Sequence, residues 1–249
     1  MTGLGSGGRA DAARLAGIAD TMDGYTLSLV ESLGMAPEAH VIDIGAGTGG
    51  VAAALADRYP AARVVALDRD TSIIDPAVRA RPNIDVVSAD ITDWATTRRF
   101  DLVHARFVLI HLPDRDTVLA RLRDLLAPGG LLVLTEPYQL DDSTAPDPAV
   151  GRVLAAYRSF AARTGTSFTW IRSAPTLFTE LGFTGIDVRT RAGRLGGGPE
   201  DRWSNLIRPV ADRLEVAAED LDRFYEIAGS PGWHDIPQLI VTVVGRRPD

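Results

Sequence analysis

Residues 41–50, Val-Ile-Asp-Ile-Gly-Ala-Gly-Thr-Gly-Gly, constrain the fold of this chain more than any other stretch. A short β-branched apolar run passes into closely spaced glycines and then into an Ala-rich segment with helical spacing, which is the order of a strand, a tight turn and a helix. Glycine is needed where the turn takes positive φ or where a ligand must approach backbone without meeting a Cβ. A strand feeding a helix in this way requires a sheet to lie in and helices to cover it, so the architecture is α/β. The spacing alone leaves the ligand open, because Gly45, Gly47 and Gly50 also satisfy G-x-G-x-x-G, with Asp68 downstream.

The rest of the chain repeats this alternation. Strands are expected at 41–44, 63–67, 84–88, 100–104 and 131–136, with helices at 49–59, 73–79 and 115–126 between them; Val118, Leu119, Leu122, Leu125 and Leu126 carry the last helix's apolar face. Pro128-Gly129-Gly130 then stops that helix and turns the chain into a buried strand. Beyond Glu136 the pattern changes to a polar loop at 141–148, helices at 149–163 and 176–181 on either side of Ser173-Ala174-Pro175, and a strand to Val188. Residues 191–199 are too glycine-rich for packed structure, 200–227 read as amphipathic helix, and 238–245 as a final strand. With no helical crossover of ordinary length between them, the two late strands should pair antiparallel at a sheet edge. Before His40 the chain looks helical, with Leu15, Ile18, Ala19 and Met22 on one face and Tyr25, Leu29 and Leu33 continuing it.

Composition removes several chemistries. Of 249 residues none is Cys and every basic residue is Arg, which excludes disulfides, thiolate nucleophiles, a Lys Schiff base and a P-loop Lys. His40, His104, His111 and His234 lack metal-ligand spacing, so no metal site is expected. The balance of 26 basic and 33 acidic residues, −7 overall, disfavours nucleic acid and anionic lipid as partners. No run approaches the roughly 18 apolar residues of a membrane span, since Pro128, Gly129 and Gly130 interrupt the most apolar one. The start lacks a basic segment followed by an apolar core, which predicts a cytoplasmic protein.

Asp43 separates the ligand readings. A carboxylate inside a strand is costly unless it bonds loop amides or a cationic ligand, and it would repel a pyrophosphate. Here the sequence resembles the class I S-adenosylmethionine-dependent methyltransferases, through residues 41–49, then Val64-Val-Ala-Leu-Asp68-Arg-Asp70, Val86-Val-Ser-Ala-Asp90-Ile91, Phe100-Asp-Leu-Val-His104, and Leu125-Leu-Ala-Pro-Gly-Gly-Leu-Leu-Val-Leu134. The likeness covers 41–136 and extends more weakly into the late strand pair. It implies a Rossmann-like, mostly parallel seven-stranded sheet with helices on both faces and an antiparallel last strand. The organisation expected is an N-terminal helical cap (1–39), a cofactor-binding core (40–137) and a helical insertion lining the acceptor site (138–181). A late strand pair with its own helical insertion (182–249, insertion 191–235) then completes the same domain.

The resemblance also implies roles. Asp68 would accept hydrogen bonds from both ribose hydroxyls, Arg69 would flank the adenine, and Asp90 and Ile91 would meet its amino group and ring face. Gly45, Ala46, Gly47 and the backbone around Ala105 would receive the methionyl end. Arg106 would partner that end's carboxylate or Asp43, and Tyr25 would close over it or pack in the core. A phenol or protonated amine must also lose a proton, and His111 and Glu136, after the fourth strand and at the end of the fifth, are the candidate bases. His111 could instead bond backbone at a helix entry, and Glu136 could bond Tyr138 or an Arg. His104 reads as buried structure, and His234 as a late-loop residue able to reach the site. Ala105-Arg106-Phe107 stands where methyltransferases of nucleic acid bases carry an Asn/Asp-Pro-Pro-aromatic run, so base methylation is disfavoured. Tyr138, Tyr157, Phe160, Phe168 and Trp170 could line an apolar acceptor pocket.

The function expected is methyl transfer from S-adenosylmethionine to an O or N atom, less readily C, of a small, partly apolar metabolite, with a homodimer left open. Two alternatives remain. One is the same fold with methyl transfer lost, acting as a binding protein or in cyclisation or decarboxylation; the other is a nicotinamide-dependent oxidoreductase.

Overall fold

A computed structural model describes residues 9–198 and 201–249. The glycine-rich head, 1–8, and residues 199–200 of the late insertion lie outside the described residues. The elements run α1 (Arg9–Ser32), β1 (His40–Ile44), α2 (Gly50–Arg58), β2 (Arg63–Asp68), α3 (Pro76–Arg79), β3 (Ile84–Ser88), β4 (Phe100–Arg106), α4 (Arg115–Leu125) and β5 (Leu126–Gln139). They continue with α5 (Pro148–Arg163), α6 (Ala174–Glu180), β6 (Thr184–Gly196), α7 (Trp203–Ile207), α8 (Ala218–Ala228) and β7 (His234–Arg246).

The strands form one seven-stranded sheet in the order β3-β2-β1-β4-β5-β7-β6. β1 to β5 pair in parallel, and β7 runs antiparallel to both β5 and β6. This is the doubly wound arrangement the strand and helix alternation predicts. Alternate residues of each strand feed opposite faces. Val41, Val64, Leu102, Val133 and Val244 pack with α2 and the end of α1, while Ile42, Ile44, Val103, Leu132 and Val243 pack with α4 and α6. A third core joins α5, α7 and α8 through Val153, Tyr157, Trp203, Ile207 and Phe224. Among the described residues no helix is long and apolar enough to cross a membrane.

Three local readings change. The segment 73–79 is not one helix: Asp70 caps a short 3-10 turn, and Asp75 caps the four-residue α3, which starts on Pro76. Pro128-Gly129-Gly130 does not separate α4 from a strand but lies inside β5, where the register with β4 jumps from Phe100↔Leu126 to Leu102↔Leu131. Residues 191–196, read as unpacked, are strand, because β7 supplies the cross-strand partners that pair Arg191 with Ile240 and Gly193 with Gln238. Tertiary pairing overrides the low intrinsic strand preference of glycine there.

Gly130 sits where backbone closes from two sides, since a Cβ on it would lie 2.9 Å from the carbonyl oxygens of both Ala127 and Phe100. Gly130→Ala should therefore destabilise the protein by about 1–3 kcal/mol, seen as a lower urea midpoint with an unchanged denaturant slope.

Candidate functional site

The strand order reverses between β1 and β4, and the crevice beyond the carboxyl ends of the strands there is where ligands bind in open α/β sheets. The loop after β1 is tied across to β2: the Gly45 and Ala46 amides both donate to the Leu67 carbonyl, at 2.8 and 3.0 Å. Gly45 and Gly47 take φ of 67° and 56°, the left-handed region that penalises a Cβ. Their bareness also serves packing, for a Cβ on Gly45 would collide with Val108, and one on Gly47 would face Leu15 of α1.

Asp68, at the end of β2, holds this loop in place. Its Oδ2 accepts from the Gly47 amide at 2.8 Å and its Oδ1 from the Asp70 amide at 2.9 Å. Burial raises its pKa, against the pull of those two amides, and the nearby Asp43 raises it further. A carboxylate offers about four lone-pair sites, so Asp68 keeps acceptor capacity for a diol. Asp90 follows β3 and closes a turn by accepting from the Thr92 amide and hydroxyl; the Thr92 amide, its hydroxyl and Arg69 lower its pKa against some burial. Arg69 is exposed beside it. Ile91 is buried in the sheet's α4-side core, and Ala105 is fully buried between its register partners Ile44 and Leu134.

Two charged residues find partners other than those expected. Asp43 bonds neither loop amides nor Arg106; its Oδ1 lies 2.7 Å from His104 Nδ1, its register partner on β4, and both side chains are buried. Arg106 instead ion-pairs with Asp23 of α1 at 2.6 Å and donates to Thr26 at 3.0 Å. Tyr25, on the same helix, donates to Thr242, which bonds Thr135 at 2.9 Å. Its ring lies under the Arg191 guanidinium. Parity along β4 puts His104 and Arg106 on the α1 face, a relation visible only once the strand is placed.

The residues of the crevice fit a cationic adenosyl ligand better than a dinucleotide. Asp68 and Asp90 stand at or just past the ends of β2 and β3, Asp43 lies buried within β1 against His104, and Arg106 is already paired. Such a set repels a pyrophosphate and attracts a sulfonium and an ammonium.

Across the crevice, the chain after β4 enters the left-handed region at Phe107, φ 57°, a conformation that costs a bulky residue about 1 kcal/mol or more. A 3-10 turn, Leu109–His111, follows. Glu136, expected to meet substrate as a base, points into this turn: its Oε1 accepts from the Val108 and Leu109 amides at 3.1 and 2.7 Å, and the residue is fully buried. Its partner is therefore neither Tyr138 nor an arginine. Burial pushes its pKa up to about 8 despite those amides, and its Oε2 is buried with no hydrogen-bond partner, as suits a neutral acid. His111 sets Nδ1 3.0 Å from Thr166 Oγ1.

His111 also lines a cavity of about 400 Å³ beside the crevice, walled by α1, the ends of β5, β6 and β7, α5 and α7. Of the aromatic residues expected there, Tyr157 and Phe168 line it. Phe160 belongs to the third core, Trp170 donates to Asp116, and Tyr138 packs against the α4-side core. His234 is exposed and does not line it. Phe107, Met22, Arg191, Trp203 and Gln238 do, and sequence reading missed them because the walls come from segments read as cap, glycine-rich loop and strand end. Among the described residues no group of three or more His, Cys, Asp or Glu is placed to hold a metal ion.

Comparison with known proteins agrees with this geometry. Residues 41–130 match the family model described as a methyltransferase domain. A trans-aconitate 2-methyltransferase of Methylobacterium radiotolerans is 38% identical over 124 residues, which is 50% of this chain and 46% of that protein. The chain thus spans about half the length of the curated relatives it matches. Phosphoethanolamine N-methyltransferase 2 of Haemonchus contortus, solved with phosphomonomethylethanolamine and S-adenosylhomocysteine, superposes with a TM-score of 0.64 at 16% identity, covering 91% of this chain and 53% of its own. A geranyl diphosphate methyltransferase solved with S-adenosylmethionine gives 0.60 at 14%, covering 97% and 92%. At such identities the superpositions speak for the fold, and the matched segment marks residues 41–130 as similar to a methyltransferase domain. By its strand order, its glycine loop and the match of residues 41–130 to a methyltransferase domain, the chain is similar to the class I S-adenosylmethionine-dependent methyltransferases.

Proposed function

We propose that the protein transfers the methyl group of S-adenosylmethionine to an O or N atom of a small, partly apolar molecule held in the cavity beside His111, and that it works in the cytoplasm. The observation that carries this reading is the juxtaposition of an acidic crevice at the ends of β1, β2 and β3 with an aromatic-walled cavity at the ends of β5, β6 and β7. When bound, S-adenosylmethionine supplies an already activated methyl whose leaving group departs neutral, so the protein's task is alignment, exclusion of water and removal of the acceptor's proton.

In this reading Asp68 holds the ribose hydroxyls, and Asp90, Arg69 and Ile91 bound the adenine side. The loop Gly45, Ala46, Gly47, the backbone near Ala105, and Asp43 face the methionyl end. Arg106 and Tyr25 act on that end by fixing α1 over it, through Asp23 and Thr242. His111 takes the acceptor's proton: with Nδ1–H donating to Thr166, Nε2 is the basic nitrogen. Glu136 is a positioning residue, because its carboxyl latches the amides of the turn that presents Phe107 and His111. The relatives' acceptor, trans-aconitate, is a first substrate to try.

The decisive experiment incubates the protein with S-adenosylmethionine and acceptor candidates, and follows formation of S-adenosylhomocysteine together with acceptor mass. Calorimetry with S-adenosylhomocysteine and with NADH accompanies it, and a preference for NADH would overturn the reading.

Three variants follow. Asp68→Ala should weaken S-adenosylhomocysteine binding by about 1.5–3 kcal/mol, the worth of hydrogen bonds to a charged group; unchanged affinity would put the ribose elsewhere. His111→Gln should lower kcat by about 10²–10⁴ with little change in cofactor affinity, and a wild-type turnover number removes its assigned role. Glu136 gives a pH signature. A folded pKa near 8 against an ordinary 4.5 means the native state holds the proton that the unfolded chain releases. Its stabilising contribution is complete below pH 4.5, declines between 4.5 and 8, and is level above that. Wild type should therefore lose stability relative to Glu136→Gln across this window, by up to about 5 kcal/mol, and parallel melting-temperature curves would contradict it.

A further inference from the structure

The cavity differs in charge from the chain around it. The protein carries 33 acidic and 26 basic residues, yet among the described residues lining the cavity there is no Asp or Glu and there are three arginines, Arg191, Arg194 and Arg202. The facing crevice has the opposite bias, with Asp43, Asp68 and Asp90. Arg191 is the most sharply positioned of the three. It sits on β6 opposite Ile240, its guanidinium lies 5.2 Å from the centre of the Tyr25 ring, and its Nη1 is 3.4 Å from the Thr21 carbonyl and 3.8 Å from Met22 Sδ. These contacts orient the group against α1 without neutralising it, and no carboxylate pairs with it among the described residues. A planar guanidinium held by stacking matches a carboxylate in two-pronged geometry. The remaining walls, among them Phe107, Ile110, Tyr157, Phe168 and Trp203, offer apolar and aromatic surface, a poor setting for a small molecule that bears charge all around it.

We infer that the acceptor is an amphipathic organic acid, with an apolar and preferably flat body against these aromatic walls and a single carboxylate anchored on Arg191. The carboxylate is a recognition handle and not the methylated atom, since Arg191 belongs to the β6 and α1 wall whereas His111 belongs to the turn after β4. This inference rests on the proposed function and deepens it. It also separates this chain's acceptor from trans-aconitate, a small polyacid.

The test measures binding of phenylacetate, hydrocinnamate and cinnamate, of their three carboxamides, and of trans-aconitate, by calorimetry on protein saturated with S-adenosylhomocysteine. In the wild type the acids should bind about ten- to hundredfold more tightly than the matching amides, the worth of a charge-assisted hydrogen-bond pair. Arg191→Gln should bring that ratio close to one, and Arg191→Lys should keep part of it; circular dichroism shows whether each variant is folded. Should Arg191→Gln fail to fold, the acid-to-amide ratio in the wild type and in Arg191→Lys still decides. Equal binding of acids and amides, an unchanged ratio in folded Arg191→Gln, or no binding of any acid by cofactor-saturated protein overturns the inference. So does tighter binding of trans-aconitate than of every monoacid. Failure to bind S-adenosylhomocysteine at all is a different outcome, and defeats the methyltransferase reading instead.

Discussion

The reversal of strand order between β1 and β4 is the constraint on which the rest depends. Crossovers from β1 carry the chain outward to β2 and β3, those from β4 carry it the other way, and right-handed connections send the helices to opposite faces. No helix connects across the carboxyl ends of β1 and β4, so a crevice opens there whatever the side chains are. The glycine loop, Asp68 and the turn bearing His111 all converge on it because they follow strands that end at this edge. β7 then inserts antiparallel between β5 and β6, and the far ends of this late pair become a wall of the adjacent cavity.

Charge divides the two halves of this region. On the β1 to β3 side carboxylates lie near one another, and Asp68 is tolerated there because backbone amides meet both of its oxygens. On the other side Glu136 is buried in apolar surroundings and favours its neutral form, which lets it hold two amides of a turn without placing its own charge beside the cavity. α1 closes over the boundary. Its ties are polar, Asp23 to Arg106 and Tyr25 to Thr242, so its seat depends on strand-end residues that also border the ligand region.

Much of the crevice's β1 to β3 side was legible in the primary structure. The run at 41–50, the carboxylate at Asp68 and the alternation of strand and helix are local patterns, each written within one element and its neighbours. The pairing of Asp43 with His104 was not legible, because it depends on which strand lies beside β1 and in what register. Arg106 was assigned to the ligand or to Asp43 for the same reason, since its partner Asp23 comes from a helix 83 residues earlier in the chain. The strand character of 191–196 was hidden by glycine, whose low strand preference is overcome by the ladder to β7.

By itself the sequence determined the doubly wound class, the glycine turn and the acidic residues at strand ends, because hydrophobic period and turn chemistry act over a few residues. Only the tertiary structure decided that Glu136 faces amides and not solvent, and that α1, β6 and α7 together wall a cavity rich in arginine and aromatic rings. Those are outcomes of register, strand order and desolvation, which depend on residues far apart in the chain meeting at one place.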